Sequence, residues 1–474
     1  MTSSAESPEA AANRQRIHLL QSFHITDAGN AEAFAMLHGH RFRYDRTRGK
    51  WRLWNGQYWV SDKKGEATRA ALDVARQRLA AAILIAGKEE RGAAVRWAMK
   101  SESVYGRRAT LESAQSIPAL ATIADDYDRD HFLLTVGNGT IDLRTGQLLP
   151  SQPDDLITRT TDVDYFPTAT CPRWLQFLNE IFGGNEALIS FISRAVGYSL
   201  TGDTREQCLF ILWGGGANGK STFLETLLKL VGGHAAITPF SSFLVQRNAG
   251  NPRNDVAKLH GARLVKAAES GKEGALDEAI TKEITGGDTI SARFLFQEFF
   301  EFKPAFKLWL ATNHRPPIRG TDDAIWRRIR LIPFTRQFSG RNRDPKLVET
   351  LNGELTGILA WAVRGCLEWQ RIGLGSSPVV ETATLEYRQE SDILGRFMKE
   401  KCLDGPKEQA AGNELYQAYV DFCNANGEKP EANNTFAKAL AERGINKKRG
   451  RKGNVYQGIG LVPQATRVKL AERK

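Results

Sequence analysis

The sequence is poor in cysteine, with five in 474 residues, and has none of the paired spacings that build disulfide frameworks or zinc sites. Cys171, Cys208, Cys366, Cys402 and Cys423 stand far apart, which excludes structural zinc and predicts buried, inert thiols in a reducing compartment. Long apolar runs are also missing. No stretch approaches the roughly 18 residues of a membrane span, and the start, MTSSAESPEAAANRQR, lacks the apolar core of a secretory signal. Residues 1–14 are expected to be a disordered tail, in a cytoplasmic protein with no membrane partner.

What is present in excess is positive charge, a net +11. Nine Lys or Arg against one Glu between Gly444 and Lys474 put +8 of it in the last 31 residues. Such a concentration points to a polyanionic partner. At this length two or three domains are expected. Residues 15–165 read as an N-terminal α+β domain: KWRLWNGQYW carries Asn55-Gly56, the dipeptide of a type I′ hairpin turn, and residues 66–126 show helical spacing. The acidic cluster Asp125, Asp126, Asp128 and Asp130 reads as a charged helix end. Trp174, Leu175, Phe177, Leu178, Ile181 and Phe182 recur at helical spacing in a collar, 166–205. An α/β unit with a parallel sheet and flanking helices spans 206–372. Turn residues in RIGLGSSPVV mark a linker, 373–391, and helix, helix and a basic Gly-rich hairpin suggest a winged helix over 392–474.

Chemistry concentrates in the α/β unit. CLFILWG reads as a strand buried on both faces. Directly after it, Gly214, Gly215, Gly216, Ala217, Asn218, Gly219, Lys220 and Ser221 fit GxxxxGK[ST], and a helix follows through Thr222. Glycines let successive N–H groups turn inward as an anion nest, to which the helix adds its positive end. Lys220 is expected on the β- and γ-phosphates of ATP, and Ser221 on Mg²⁺. A carboxylate must help hold the metal and polarise water. Glu269, ending ARLVKAAE, is placed for it, with Glu273 a second candidate. Asn313 ends another apolar strand, where it can orient the lytic water. Arg327 and Arg328 offer guanidinium forks for phosphoryl charge, one of them an arginine finger if it reaches a neighbour's site. In the C-terminal module Asn434 to Arg443 form the presented helix, and Lys447, Lys448, Arg449, Arg451 and Lys452 the wing that meets DNA.

Taken in order, WGGGANGKST, the strand ending AAES, ITGGDTISAR, LWLATNHRP and DDAIWRRIRLIPF resemble the superfamily 3 helicases, specifically the helicase part of phage and plasmid primase-helicases and their poxvirus relatives. The likeness extends upstream through VGNGTIDLRTGQL, CPRW and VGYSLTG, so it covers roughly residues 130–340. It implies an AAA+ core and a homo-oligomer, a hexamer, that moves on single-stranded and forked DNA in the replication of a phage, plasmid or integrated element in a bacterial host. It also implies that Lys220 and Ser221 form the first motif, Glu269 the acidic second, Asn313 the sensor and Arg327 or Arg328 the finger. The stretch Ile290 to Lys307 falls where the family's DNA-gripping hairpin lies, where Arg293, Lys303, Phe299 and Phe300 suit strand tracking. Only about 130 residues precede NGTIDLRTG, so a separate primase or other replisome proteins are expected as partners. An origin-binding or loader ATPase that never unwinds DNA is the alternative; a small-molecule kinase would have no use for the basic C-terminal module.

Overall fold

The computed structural model describes residues 7–245, 254–268, 274–293, 298–320, 322–340, 344–450 and 453–462. The described residues open on a helix, α1 (Pro8–Ser22), which takes up residues 8–14 of the disordered tail expected over 1–14; residues 1–6 of that tail lie outside the described residues. Two local signals start it: Ser7 accepts from Ala10 N at 3.2 Å, and Pro8 sits at the first helical position, where its missing N–H costs nothing. Helix α2 (Asp27–His38) leads into β1 (Phe42–Asp45), β2 (Lys50–Trp54) and β3 (Trp59–Ser61), an antiparallel sheet. Its β2–β3 connection corrects the type I′ expectation. The last strand pair is Trp54 with Trp59, leaving a four-residue loop in which Gly56 alone has positive φ. Asn55 instead accepts from the N–H groups of Gln57 and Tyr58, both at 2.9 Å, so its amide closes the turn.

Helices α3 (Glu66–Ile83), α4 (Lys88–Ser101) and α5 (Val104–Ala114) follow, then the short β4 (Ala121–Thr122) beside β1. Phe34, Phe42, Ala71 and Val74 centre this unit's core. Strands β5 (Leu133–Val136), β6 (Gly139–Asp142) and β7 (Gln147–Leu149) form a meander before α6 (Pro172–Ile181) and α7 (Glu186–Leu200). The acidic cluster between β4 and β5 is structural: Asp128 accepts from Thr158 N at 2.8 Å and Asp130 from Arg144 at 2.7 Å.

The central layer is a five-stranded parallel sheet. Its strands are β8 (Leu209–Trp213), β9 (Ala235–Pro239), β10 (Leu264–Ala268), β13 (Lys307–Thr312) and β14 (Ile329–Pro333), in the order β14-β8-β13-β10-β9. Between them run α8 (Lys220–Val231), α9 (Asn254–Ala257), α10 (Glu278–Gly286), the hairpin β11 (Ile290–Ala292) and β12 (Phe300–Phe302), and α11 (Asp323–Trp326). Residues Leu209 to Leu212 are fully buried, as a strand covered on both faces must be. Lys266, which interrupts the apolar run of β10, reaches Glu225 of α8 at 3.9 Å.

The collar and the sheet are pinned together by buried cations. Lys307 Nζ, 1% exposed, donates to the carbonyls of Thr201 and Asp203, and Arg263 to those of Leu200 and Leu133 at 2.7 and 2.6 Å. Both therefore meet the negative end of α7, which favours cations. Burial pulls the Arg263 guanidinium down to about 10 and lowers Lys307 well below the usual lysine range.

After β14 come α12 (Leu347–Gly353), α13 (Leu355–Ile372) and α14 (Pro378–Ser391). The last corrects the linker expected over 373–391. Gly373 to Ser377 are irregular, but Pro378 takes the first helical position, and Val380 joins one core while Ala383 and Tyr387 join the other. The C-terminal unit comprises α15 (Ile393–Lys401), β15 (Cys402–Ala411), α16 (Gly412–Ala425), α17 (Asn433–Glu442), β16 (Lys447–Gly450) and β17 (Gly453–Leu461), with sheet order β15-β17-β16 around a core of Phe397, Leu415, Tyr419 and Phe436. All five cysteines are buried, and burial pushes Cys208 and Cys366 up to about 12, far from thiolate chemistry at neutral pH. Among the described residues no helix is long and apolar enough to cross a membrane.

Candidate nucleotide site

The loop 214–219 leaves β8 and enters α8, so its N–H groups and the first turn of the helix face the same end of the sheet. Left-handed backbone makes the turn: φ is 153° at Gly214, 55° at Ala217 and 89° at Gly219. The loop is laced to the chain after β14. Asn218 Nδ2 donates to Phe334 O at 3.1 Å, and Phe338 N donates to Ala217 O at 2.7 Å. Gly214 has no room for a side chain, because a Cβ would lie 2.2 Å from Phe334 O. Gly214→Ala is therefore expected to displace the loop with the sheet intact, an outcome that hydrogen–deuterium exchange over 209–231 and far-ultraviolet circular dichroism check together.

Lys220 is 6% exposed and its ammonium is surrounded by oxygens. It donates to Gly214 O at 2.6 Å, Gly215 O at 3.0 Å, Asn218 Oδ1 at 3.1 Å and Asn313 Oδ1 at 3.3 Å. Residues 93 apart in sequence thus meet at one atom because β13 lies beside β8, with Thr312 paired to Trp213. Ser221 is exposed and Thr222 half-buried on the same first turn. Glu269 and Glu273 lie outside the described residues. The strand that precedes them, β10, ends at Ala268 opposite Ala311.

The two arginines differ in environment. Arg328 is 7% exposed, and its Nε donates to Thr285 Oγ1 at 3.0 Å; burial lowers its pKa. Arg327 is exposed. It precedes β14, whose first residue Ile329 pairs with Leu209, at the opposite end of β8 from the loop. Four register steps separate those ends, about 13 Å of strand, so Arg327 sits beyond the end of β8 opposite the loop.

Sequence reasoning left one residue of this region unassigned, Arg315. Its guanidinium lies 4.0 Å from the centre of the Trp213 ring, at the end of β8, and pairs with Glu390 of α14. Only its place in ATNHRP, two residues after Asn313, hinted at a role. At the β11–β12 hairpin, Arg293 stacks over Phe299 at 4.9 Å; Phe299 is 59% exposed and Lys303 is exposed. Phe300 does not join that surface. It packs on Phe302 at 5.8 Å and meets the His260 ring edge-on, against the core. On β16, Lys447, Lys448 and Arg449 are exposed in a row; Arg451 and Lys452 lie outside the described residues.

Two families match the chain. The one described as "D5 N terminal like" covers residues 31–183, and the "Family of unknown function (DUF5906)" covers 212–328, which includes the glycine loop 214–219 and both arginines. A D5 N terminal like segment is thus followed by a DUF5906 segment, and the similar curated proteins are viral ones named putative helicase or putative primase. "Putative helicase L207/L206" of Acanthamoeba polyphaga mimivirus is 27% identical over 334 residues, 65% of this chain and 35% of that protein. "Putative helicase 022R" of Frog virus 3 is 28% identical over 274 residues, 54% of this chain and 28% of the other. "Putative primase C962R" of African swine fever virus is 23% identical over 351 residues, 68% and 36%. The chain thus spans about a third of the length of the curated relatives it matches. Its fold is shared with the solved NrS-1 C terminal region, with a TM-score of 0.50 at 11% identity over 89% of this chain and 96% of that one.

Proposed function

We propose that this chain is an ATP-dependent DNA helicase motor, working as a ring in the replication of a phage, plasmid or integrated element. The observation that carries the proposal is the meeting of Lys220 Nζ and Asn313 Oδ1 at 3.3 Å, beneath a glycine loop at the open end of a parallel sheet. The strand order supports an AAA+ assignment, because the strand bearing Asn313 lies between the loop strand and the strand before Glu269. In this reading the loop amides and Lys220 hold the β- and γ-phosphates of ATP, Asn313 orients the attacking water and Glu269 polarises it. Ser221, exposed on the helix's first turn, suits Mg²⁺, which when bound neutralises charge between the phosphates. Arg327, remote from its own loop and exposed, serves the site of a neighbouring subunit, so catalysis requires a ring, taken to be a hexamer.

Arg293 and Phe299, cation and ring side by side at the loop end of the β11–β12 hairpin, form the strand-tracking pair, and Lys303, just past the hairpin's base, adds a phosphate contact. The C-terminal unit acts as a winged helix, with α17 for the major groove and β16–β17 as the wing. Replacing Lys447, Lys448 and Arg449 by alanine is expected to weaken duplex binding and to lower the log Kd–log salt slope by about 0.9 for each phosphate no longer neutralised. An unchanged slope in fluorescence anisotropy would remove the wing from the interface. A primase and other replisome proteins are the proposed partners, and forked DNA the substrate, in the cytoplasm of a bacterial host.

The deciding experiment measures ATP hydrolysis by the purified protein with and without single-stranded DNA, beside displacement of a strand from a forked duplex. DNA-stimulated hydrolysis with strand displacement is the expected result. Hydrolysis without displacement would replace the motor by a loader that assembles on DNA, and hydrolysis indifferent to DNA would defeat both.

A further inference from the structure

We propose that Arg315 is a positioning residue that couples the nucleotide loop to α14, and through α14 to the segment bearing Arg327. The inference rests on the ATPase reading and assigns a role to a residue and a helix outside its machinery.

The interactions converge on α14. Arg315 stacks over Trp213, the residue immediately before Gly214, and its guanidinium pairs with Glu390. The Tyr387 hydroxyl donates to Pro316 O, in the same turn that follows Asn313. The Tyr387 ring meets Trp326 edge-on at 5.2 Å, and Trp326 directly precedes Arg327. Arg388 pairs with Asp323, at the start of α11, at 2.7 Å. One helix therefore grips both the sensor turn and the helix that ends just before Arg327, while Thr384 Oγ1 accepts from Leu331 N of β14 at 3.1 Å.

The chemistry of Arg315 fits transmission better than stability. Glu390 is 62% exposed at its side chain, so its ion pair is largely screened and contributes little to folding. What the guanidinium supplies is a flat cation held between an indole and a carboxylate, a geometry that lysine does not reproduce. A shift of Asn313 or of the loop on phosphate binding moves the edge of that stack. Helix α14 then carries the displacement to α11, and from α14 the chain runs directly into α15 of the C-terminal unit.

Hydrogen–deuterium exchange on the full chain, with and without a non-hydrolysable ATP analogue, tests this alongside steady-state hydrolysis. The wild type is expected to gain protection over both 209–231 and 378–391. In Arg315→Ala the first gain remains and the second is lost, and kcat falls about 100-fold with KM within about twofold, the scale of a misplacement remote from the chemistry. Trp213→Phe keeps a ring under the cation and stays near wild type, whereas Trp213→Leu behaves as Arg315→Ala does. Protection at 209–231 with α14 unaffected in the wild type, or affected equally in Arg315→Ala, overturns the coupling alone. Absence of protection at 209–231 in the wild type sinks the nucleotide reading and the coupling with it.

Discussion

Lys220→Ala is expected to abolish ATP hydrolysis and, with it, strand displacement. The ammonium is nearly buried and surrounded by four oxygen acceptors, two from loop carbonyls and one each from the Asn218 and Asn313 side chains. The three N–H donors of that ammonium meet a phosphate by exchanging some of these oxygens for it, and in a site shielded from water the field of the cation is little screened. Loss of one preorganised donor costs about 10²–10³ in kcat. Because Lys220 also links the loop to Asn313, the variant is expected to lose ATP affinity as well as turnover. Phosphate release and calorimetric ATP binding measure the two effects separately. A variant that retains a third of the wild-type rate would show that the loop does not hold the reacting phosphates, and the motor proposal would fall with it.

The second large effect belongs to Arg327. An arginine finger is worth about 10³–10⁵ in kcat, and Arg327→Ala is expected to lose activity on that scale while binding ATP normally, since it lies at the far end of β8 from its own loop. Arg328→Ala should behave differently. Its Nε bond to Thr285 and its burial make it part of the packing between β14 and α10, so the expected effect is a lowered melting temperature from about 1–3 kcal/mol of lost or unmatched hydrogen bonding. A mixing experiment separates action within a subunit from action across an interface. Lys220→Ala subunits carry an intact Arg327, and Arg327→Ala subunits carry an intact loop, so mixed rings regain hydrolysis if the arginine works in trans. Inactive mixtures of subunits that demonstrably assemble together would refute the finger assignment.

These expectations are unevenly legible in the amino-acid sequence. The glycine loop can be read because everything it needs is contiguous: a buried strand, glycines able to take left-handed backbone, and a helix beginning at Lys220. The end of β13 is visible for the same reason. Asn55-Gly56 misleads because the dipeptide serves two turn geometries, and the choice depends on which Trp pairs across the strands. Helix α14 reads as a linker because Gly373, Gly375, Ser377 and Pro378 look like loop punctuation, although a proline in the first turn starts a helix as readily as it ends one. Its apolar positions Val380, Ala383 and Tyr387 are too few to announce an amphipathic helix without the surfaces they cover.

The sequence by itself determined the local pattern: a glycine-rich GxxxxGK[ST] loop after a buried strand, a polar residue ending a second strand, a pair of arginines, and a basic C-terminal hairpin. Each of these is specified within about fifteen residues, where backbone preference and side-chain type act directly on their neighbours. Only the tertiary structure decided the order β14-β8-β13-β10-β9, which brings Asn313 to Lys220 and leaves Arg327 at the opposite end from its own loop. It alone distinguished the exposed Arg327 from the buried Arg328, and joined Trp213, Arg315, Tyr387 and Trp326 through α14. Those outcomes depend on parallel strands brought together over tens to hundreds of residues, where the pairing is set by the burial of whole faces and no local pattern encodes it.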